Sequence, residues 1–270
     1  MANAEWRARG VLVALALSAA ACRGPSTRDD GVDACSIPGT TPCAALAGEV
    51  IVSAAASLTD AFVAMKSAFE AMHADVDIVL NLGGSSALRA QILEGAPVDV
   101  FASANATNMT RVVQAGRLAH DAHVFARNYL RIAVPAGNPA GVSGLEDLTN
   151  AALRIALCAE EVPCGELARR VFARAGLFPA LDTNEPNVRT LLTKIQLGEL
   201  DAGVTYVTDV VSANGAVQGI DIPDDVNVAA EYLVGVLADA PNPTGAARFV
   251  QFVLSDQGQL LLASYGFAPP

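Results

Sequence analysis

The chain has 270 residues, with 28 acidic side chains against 17 Lys and Arg and a formal net charge of −11, a balance that excludes the basic face a nucleic-acid partner requires. It is 52% hydrophobic, and the stretch of about 220 residues from Gly48 onward is enough to bury one large core or two lobes of ordinary size. A protein this acidic has to capture an anion through local dipoles, because its overall field repels one.

Residues 1–10 carry Arg7 and Arg9, residues 11–21 form an apolar run, and Ala19, Ala20 and Ala21 precede Cys22. About eleven apolar residues fall short of the roughly 20 that span a bilayer, so 1–21 reads as a signal peptide and the protein is exported. Cys22, after three small residues, resembles a lipoprotein processing site, where that cysteine is acylated and ties the chain to a membrane. Ordinary cleavage near Ala21 is the alternative. Residues 22–47 are rich in Pro, Gly and Thr without periodicity, the composition of a flexible tether. Setting Cys22 aside, the remaining cysteines fall into two close pairs, Cys35 with Cys43 and Cys158 with Cys164. Neither spacing matches common zinc knuckles, no histidine lies near, and an exported chain meets an oxidising medium. Two local disulfides are expected, with buried thiols as the alternative.

From residue 48 onward, short β-branched runs alternate with helical patterns in the α/β manner. Residues 50–53 read as a strand. Leu58, Phe62, Met65 and Phe69 then fall at helical spacing within 58–72, and 75–80 reads as the next strand. A helix over 86–94 stops at Gly95 and leads through Pro97 into a strand at 98–102. A second series starts with a strand at 129–135, continues with a strand at 153–157, a helix ending near Gly176, a helix over 187–197 and a strand at 201–206. Residues 232–237 read as a strand returning to the first unit, and 243–265 hold the closing helices. The expected fold is α/β in two lobes, 48–128 with 231–270 and 129–230, each a mainly parallel sheet flanked by helices, with a ligand cleft between them.

Four segments read as the first turn of a helix built from small residues: 55–60 (AASLTD), 83–88 (GGSSAL), 162–165 (VPCG) and 186–189 (PNVR). A helix N-terminus presents unpaired N–H groups and a partial positive charge, so several converging make an anion site without Lys or Arg. Each has a plainer reading. Ser57 with Asp60 is a possible capping pair, Gly83-Gly84 a tight turn, and Tyr206 a core residue at a strand end.

Six motifs in order carry a family resemblance over about residues 48–267: Ala-Ala-Ala-Ser-Leu-Thr-Asp-Ala at 54–61, Gly-Gly-Ser-Ser-Ala-Leu at 83–88, Val-Pro-Cys-Gly at 162–165, Asn-Val-Arg at 187–189, Gly-Val-Thr-Tyr at 203–206, and Ser255-Asp-Gln-Gly with Tyr265-Gly-Phe267. The chain resembles the periplasmic molybdate-binding proteins, the extracytoplasmic components of molybdate or tungstate ABC importers. The resemblance implies the type II periplasmic-binding-protein fold, a monomer without cofactor, and partnership with a permease and its ATPase. It places the oxyanion contacts at Ser57, Ser85, Cys164, Val188 and Tyr206, with Ser86 as second choice. Ser57 and Ser85 would donate hydroxyl and backbone N–H, Cys164 and Val188 backbone N–H alone, and Tyr206 its phenol. Cys164 stands where Ala is frequent in that family. Since the implied contact is the main-chain N–H, its sulfur is free for a structural bond to Cys158.

A cage of donors suits a fully deprotonated tetrahedral dianion. Protonated phosphate needs an acceptor for its O–H and would leave a buried group unpaired. Sulfate meets the same requirement as molybdate and tungstate, so a sulfate-binding protein of the same fold is one alternative. A secreted serine hydrolase is another, but the chain lacks a Gly-x-Ser-x-Gly elbow and its histidines, His73, His120 and His123, lie in polar segments read as loops or helix ends. Arg89 and Arg189 follow the first donors of their helices and are expected to face solvent or an acidic neighbour.

Overall fold

The computed structural model describes residues 46–270. The signal peptide, Cys22, the Cys35 and Cys43 pair and the tether up to residue 45 lie outside the described residues. Leu46 packs against the core and the Ala47 carbonyl accepts from Asn242 Nδ2 at 3.0 Å, so the folded region is anchored two residues ahead of the expected start at Gly48.

β1 (Gly48–Ala55) is buried at Val50 and from Val52 onward, the near-continuous apolar run of a strand covered on both faces. β2 (Val76–Gly83) pairs with it in parallel. Between them runs α1 (Thr59–Met72), whose Phe62, Met65 and Phe69 share one face. Phe62 packs on Phe125 and Phe249, and Phe69 on Phe249 and Phe252. α2 (Ser85–Leu93) buries Leu88 and Ile92 and leads to β3 (Val100–Ser103), parallel to β1 on its other side. α3 (Ala106–Gln114) follows, capped by Asn105, whose side chain accepts from the Asn108 N–H.

β4 (His123–Pro135) then crosses the molecule. β5 (Ile155–Cys158), α4 (Pro163–Ala175), β6 (Thr183–Glu185), α5 (Val188–Gln196), β7 (Ala202–Tyr206), α6 (Val207–Ser212) and β8 (Val217–Asp221) build the second lobe. β9 (Ala229–Val236) returns to the first lobe, which α7 (Pro243–Leu254) and α8 (Asp256–Ser264) complete. The sheet order is β2-β1-β3-β9-β4-β7-β5-β6, with β8 on β4. β1, β2 and β3 are mutually parallel, as are β5, β6 and β7, while β9 and β4 run antiparallel to their neighbours. Along β4 the partner changes. Residues up to Tyr129 pair with β9, Tyr129 itself opposite Ala229, and from Leu130 the strand pairs with β7 and β8.

This arrangement brings the carboxyl ends of the parallel strands of both lobes toward one crevice, where α/β sheets hold ligands. Several elements depart from expectation. β4 begins at His123, six residues early, because its first half, which buries Phe125, Ala126 and Asn128 among polar neighbours without a regular alternation, is held by β9. His123 is therefore a strand residue and not part of a loop. α3 was not expected. Only Asn108, Met109 and Val112 of its nine residues are buried. β6, β8 and α6, also unexpected, are too short to show a period.

Candidate functional site

A small cavity lies between the lobes. From the first lobe it is lined by Ala55, Ala56, Ser57, Gly83, Gly84, Ser85 and Ala104, and from the second by Val162, Pro163, Cys164, Asn187, Val188 and Tyr206. All five residues first assigned to the oxyanion are there, and none of the lining side chains is charged. Ser86 is nearly buried but does not line the cavity.

The local sequence accounts for each position. Ser57 sits in a 3-10 turn, Ala56–Leu58, that opens α1, and Ser85 is the first residue of α2 after Gly84. Cys164 is second in α4 behind Pro163, whose missing N–H costs nothing at a helix start. Val188 is first in α5, behind Asn187, whose side chain accepts from the Thr190 N–H at 2.9 Å. N–H groups in these first turns have no acceptor within their own helix, and the positive ends of the helix dipoles lie with them. Ser57 is not half of a capping pair, since its turn has no side-chain cap and Asp60 is engaged by Arg189.

Two glycines permit the close approach. A Cβ on Gly84 would lie 2.7 Å from the Pro186 carbonyl oxygen of the opposite lobe. One on Gly165 would run into the carbonyls of Cys158 and Ala159, where α4 turns back over the end of β5. The disulfide between Cys158 and Cys164 closes that same turn, so the sulfur of Cys164 is spent on structure and its N–H remains with the cavity.

The hydroxyls at the cavity differ in their partners. Ser85 Oγ accepts from the Ala104 N–H at 3.1 Å, which leaves its own proton to point elsewhere. Ser57 Oγ and Tyr232 Oη are 2.8 Å apart and buried. Tyr206 Oη is buried with no hydrogen-bond partner among the described residues, an omission that costs about 1–3 kcal/mol until something accepts from it. Burial pushes the Tyr206 and Tyr232 phenols well above the usual tyrosine range, so both keep their protons. The Tyr206 N–H is already given to Asp209 Oδ2 at 3.0 Å, leaving the phenol as this residue's contribution to the cavity. Asp209 is fully buried, and burial raises its carboxyl to about 7 against the opposing pull of Arg189 and the Tyr206 N–H.

Neither arginine enters the cavity. Arg89 donates to Asn108 Oδ1 at 2.6 Å, and Arg189 is held by Asp60, the Ala56 carbonyl at 3.3 Å and Ser212 Oγ at 3.2 Å. No His, Asp, Glu or Lys is among the residues lining the cavity. Sequence reasoning missed Tyr232, Ala104, Asp209 and Glu166. Tyr232 reads locally as one more buried strand residue, and nothing near it in sequence marks its bond to Ser57.

An uncharged cavity between two α/β lobes, lined by helix starts, is the site of a small-solute binding protein, and the chain belongs to the bacterial extracellular solute-binding protein family, whose profile matches residues 50–268. It is 35% identical over 235 residues to the molybdate-binding protein ModA of Mycobacterium tuberculosis, covering 86% of this chain and 90% of that one. Among solved structures it is similar to the substrate-binding domain of a putative molybdenum ABC transporter from Clostridium difficile, at 28% identity and a TM-score of 0.62, covering 82% of this chain and 99% of that one. The periplasmic molybdate-binding protein of Azotobacter vinelandii, 18% identical with a TM-score of 0.73 and the same coverages, shares the fold. The architecture is thus the two-lobed periplasmic-binding-protein fold.

Proposed function

We propose that the protein captures molybdate or tungstate between its lobes and delivers it to an ABC importer, whose permease and ATPase are its partners. The observation that carries this reading is the uncharged cavity at which the first turns of α2, α4 and α5 meet the Ser57 turn and the orphaned Tyr206 phenol. Ser57 and Ser85 donate hydroxyl and N–H, Cys164 and Val188 donate N–H, and Tyr206 donates its phenol. Such a set favours a dianion that carries no proton over phosphate, which does. The 35% identity to a molybdate-binding protein supports the choice of ligand.

The lobes divide at 48–128 with 231–270 and at 129–230, in keeping with the change of partners along β4. Ligand favours the closed form through its higher affinity for it, and that form is what the permease recognises. The protein itself catalyses nothing. ATP hydrolysis belongs to the importer, and no cofactor is needed. It works as a monomer in the periplasm or at the cell surface, held to a membrane by lipid on Cys22 through the 22–47 segment.

A thermal-shift titration of the protein with molybdate, tungstate, sulfate and phosphate tests the reading, because a ligand that binds only the folded state raises its melting temperature. Stabilisation by molybdate and tungstate alone is expected. Stabilisation by sulfate alone would keep the fold and change the cargo, and silence toward all four anions would remove the proposal.

A further inference from the structure

We propose that Arg189 and Glu166 are positioning residues: two polar clasps, one on each side of the cavity, that fasten the lobes over the ligand without touching it. The inference rests on the reading of the cavity as an oxyanion site closed by the two lobes.

The first clasp joins the neighbours of two donors. Arg189 follows Val188 in α5 and its guanidinium crosses to the first lobe, where Nε donates to the carbonyl of Ala56, the residue before Ser57, and Nη2 to the carboxylate of Asp60. On its own lobe the same group donates from Nη1 to Ser212 Oγ at 3.2 Å and lies 4.0 Å from Asp209 Oδ1. The two sets of contacts differ in what opening does to them. Those to Ser212 and Asp209 travel with Arg189 and keep it aimed, while those to Ala56 and Asp60 break. Asp60 is 41% exposed and Arg189 28%, so parting them strands no carboxylate in a dry interior, and the clasp can open and reform.

The second clasp lies beside the other donor pair. Glu166 is two residues beyond Cys164 in α4, and its carboxylate reaches the start of α3 in the first lobe. Oε2 accepts from Asn105 Nδ2 at 2.7 Å and Oε1 from Thr107 Oγ1 at 3.2 Å. Asn105 follows Ala104, whose N–H holds Ser85 Oγ. A carboxylate at a helix N-terminus is also favoured by the dipole. One clasp therefore fixes Ser57 against Val188, and the other Ser85 against Cys164. Neither charged residue lines the cavity.

Contacts made only in the closed form raise its population, and apparent affinity rises with that population. Release requires opening, so the effect falls mainly on the dissociation rate. The test uses molybdate and the variants Asp60→Asn, Arg189→Gln, Arg189→Lys and Glu166→Ala, with stopped-flow tyrosine fluorescence, Tyr206 and Tyr232 being the reporters, and small-angle scattering of the ligand-free protein.

Asp60→Asn, Arg189→Gln and Glu166→Ala should each speed molybdate release about tenfold while changing association by less than about threefold, the size expected for losing a hydrogen bond to a charged group. Arg189→Lys should recover part of the loss. The Asp60→Asn/Arg189→Gln pair should be no worse than either single change, whereas adding Glu166→Ala should multiply the effect. Ligand-free scattering should shift toward a larger radius of gyration in each damaging variant. Wild-type binding with unaltered release and scattering in the variants would overturn the clasps and leave the proposed function standing. A fall in melting temperature alone, without either change, would also overturn them by reducing the contacts to ordinary structure. Should the wild type bind none of the four anions, the functional reading fails and scattering decides the clasps by itself: a shift supports closure around other cargo, and no shift ends the proposal.

Discussion

The Tyr206 hydroxyl and the Ser57 hydroxyl face the same cavity under opposite conditions. The first has no partner in the protein and the second is bonded to Tyr232. Tyr206→Phe should therefore weaken molybdate binding by about 1–3 kcal/mol while leaving the ligand-free melting temperature unchanged or higher, since an unsatisfied buried group is removed. Ser57→Ala should weaken binding by a similar amount and also lower the ligand-free melting temperature, because it orphans Tyr232 Oη. Asp209 gives a pH signature. Its carboxyl, raised to about 7 chiefly by burial, titrates near 3.9 in the unfolded chain. Between those values the folded state holds the proton more tightly, so this group's stabilisation is complete below about pH 4 and is lost as pH rises through about 7. Asp209→Asn should flatten that part of the profile, read from urea midpoints between pH 5 and 8. Ser57, Ser85, Cys164 and Val188 stand out in the sequence because each sits in a short run opening a helix, whereas Tyr206, at the end of a strand, is reached only through the family resemblance. Tyr232 was not legible, since its partner Ser57 is 175 positions away.

At the scale of elements, the helix starts meet at the cavity, and their spacing is set by backbone approach. Gly84 opens α2 against the Pro186 carbonyl that precedes α5, at a distance where a methyl group cannot fit. That clash exists only when the lobes meet. Gly84→Ala should thus cut molybdate affinity at least tenfold with little change in ligand-free stability, and calorimetric titration beside thermal melting would separate the two. Equal losses in both would place the clash inside one lobe. α1, α2, α4 and α5, with β1, β2 and β5 ahead of the first three, were readable from their apolar spacing, while β6 ahead of α5 was too short to show one. α3 hid behind polar Thr107, Asn108, Thr110 and Arg111, and the first half of β4 behind His123, Arg127 and Asn128. Those segments owe their form to neighbours, Asn105 capping the helix and β9 pairing the strand.

At the scale of the whole molecule, a net charge of −11 has the same sign as the proposed ligand. Electrostatic steering is then reversed, and molybdate association should become faster as ionic strength rises and the repulsion is screened, with dissociation little altered. Stopped-flow association rates across a salt series would show it, and slower association at high salt would point to a local positive field at the cavity mouth. The two-lobed plan was legible from the repeated α/β series. The antiparallel course of β9 and β4 through the middle of the sheet was not, because pairing direction leaves no trace in a strand's own residues.

Tyr129 and Ala229 face each other on one rung of the β4–β9 ladder. The hundred or so residues between them leave and re-enter the first lobe at almost the same point, the geometry in which inserted domains are tolerated. The second lobe is in that sense a cassette carried on a single loop of the first. It brings Cys164, Val188 and Tyr206 to the cavity as a set, so a corresponding segment from a relative can be exchanged at these two residues without rethreading the chain.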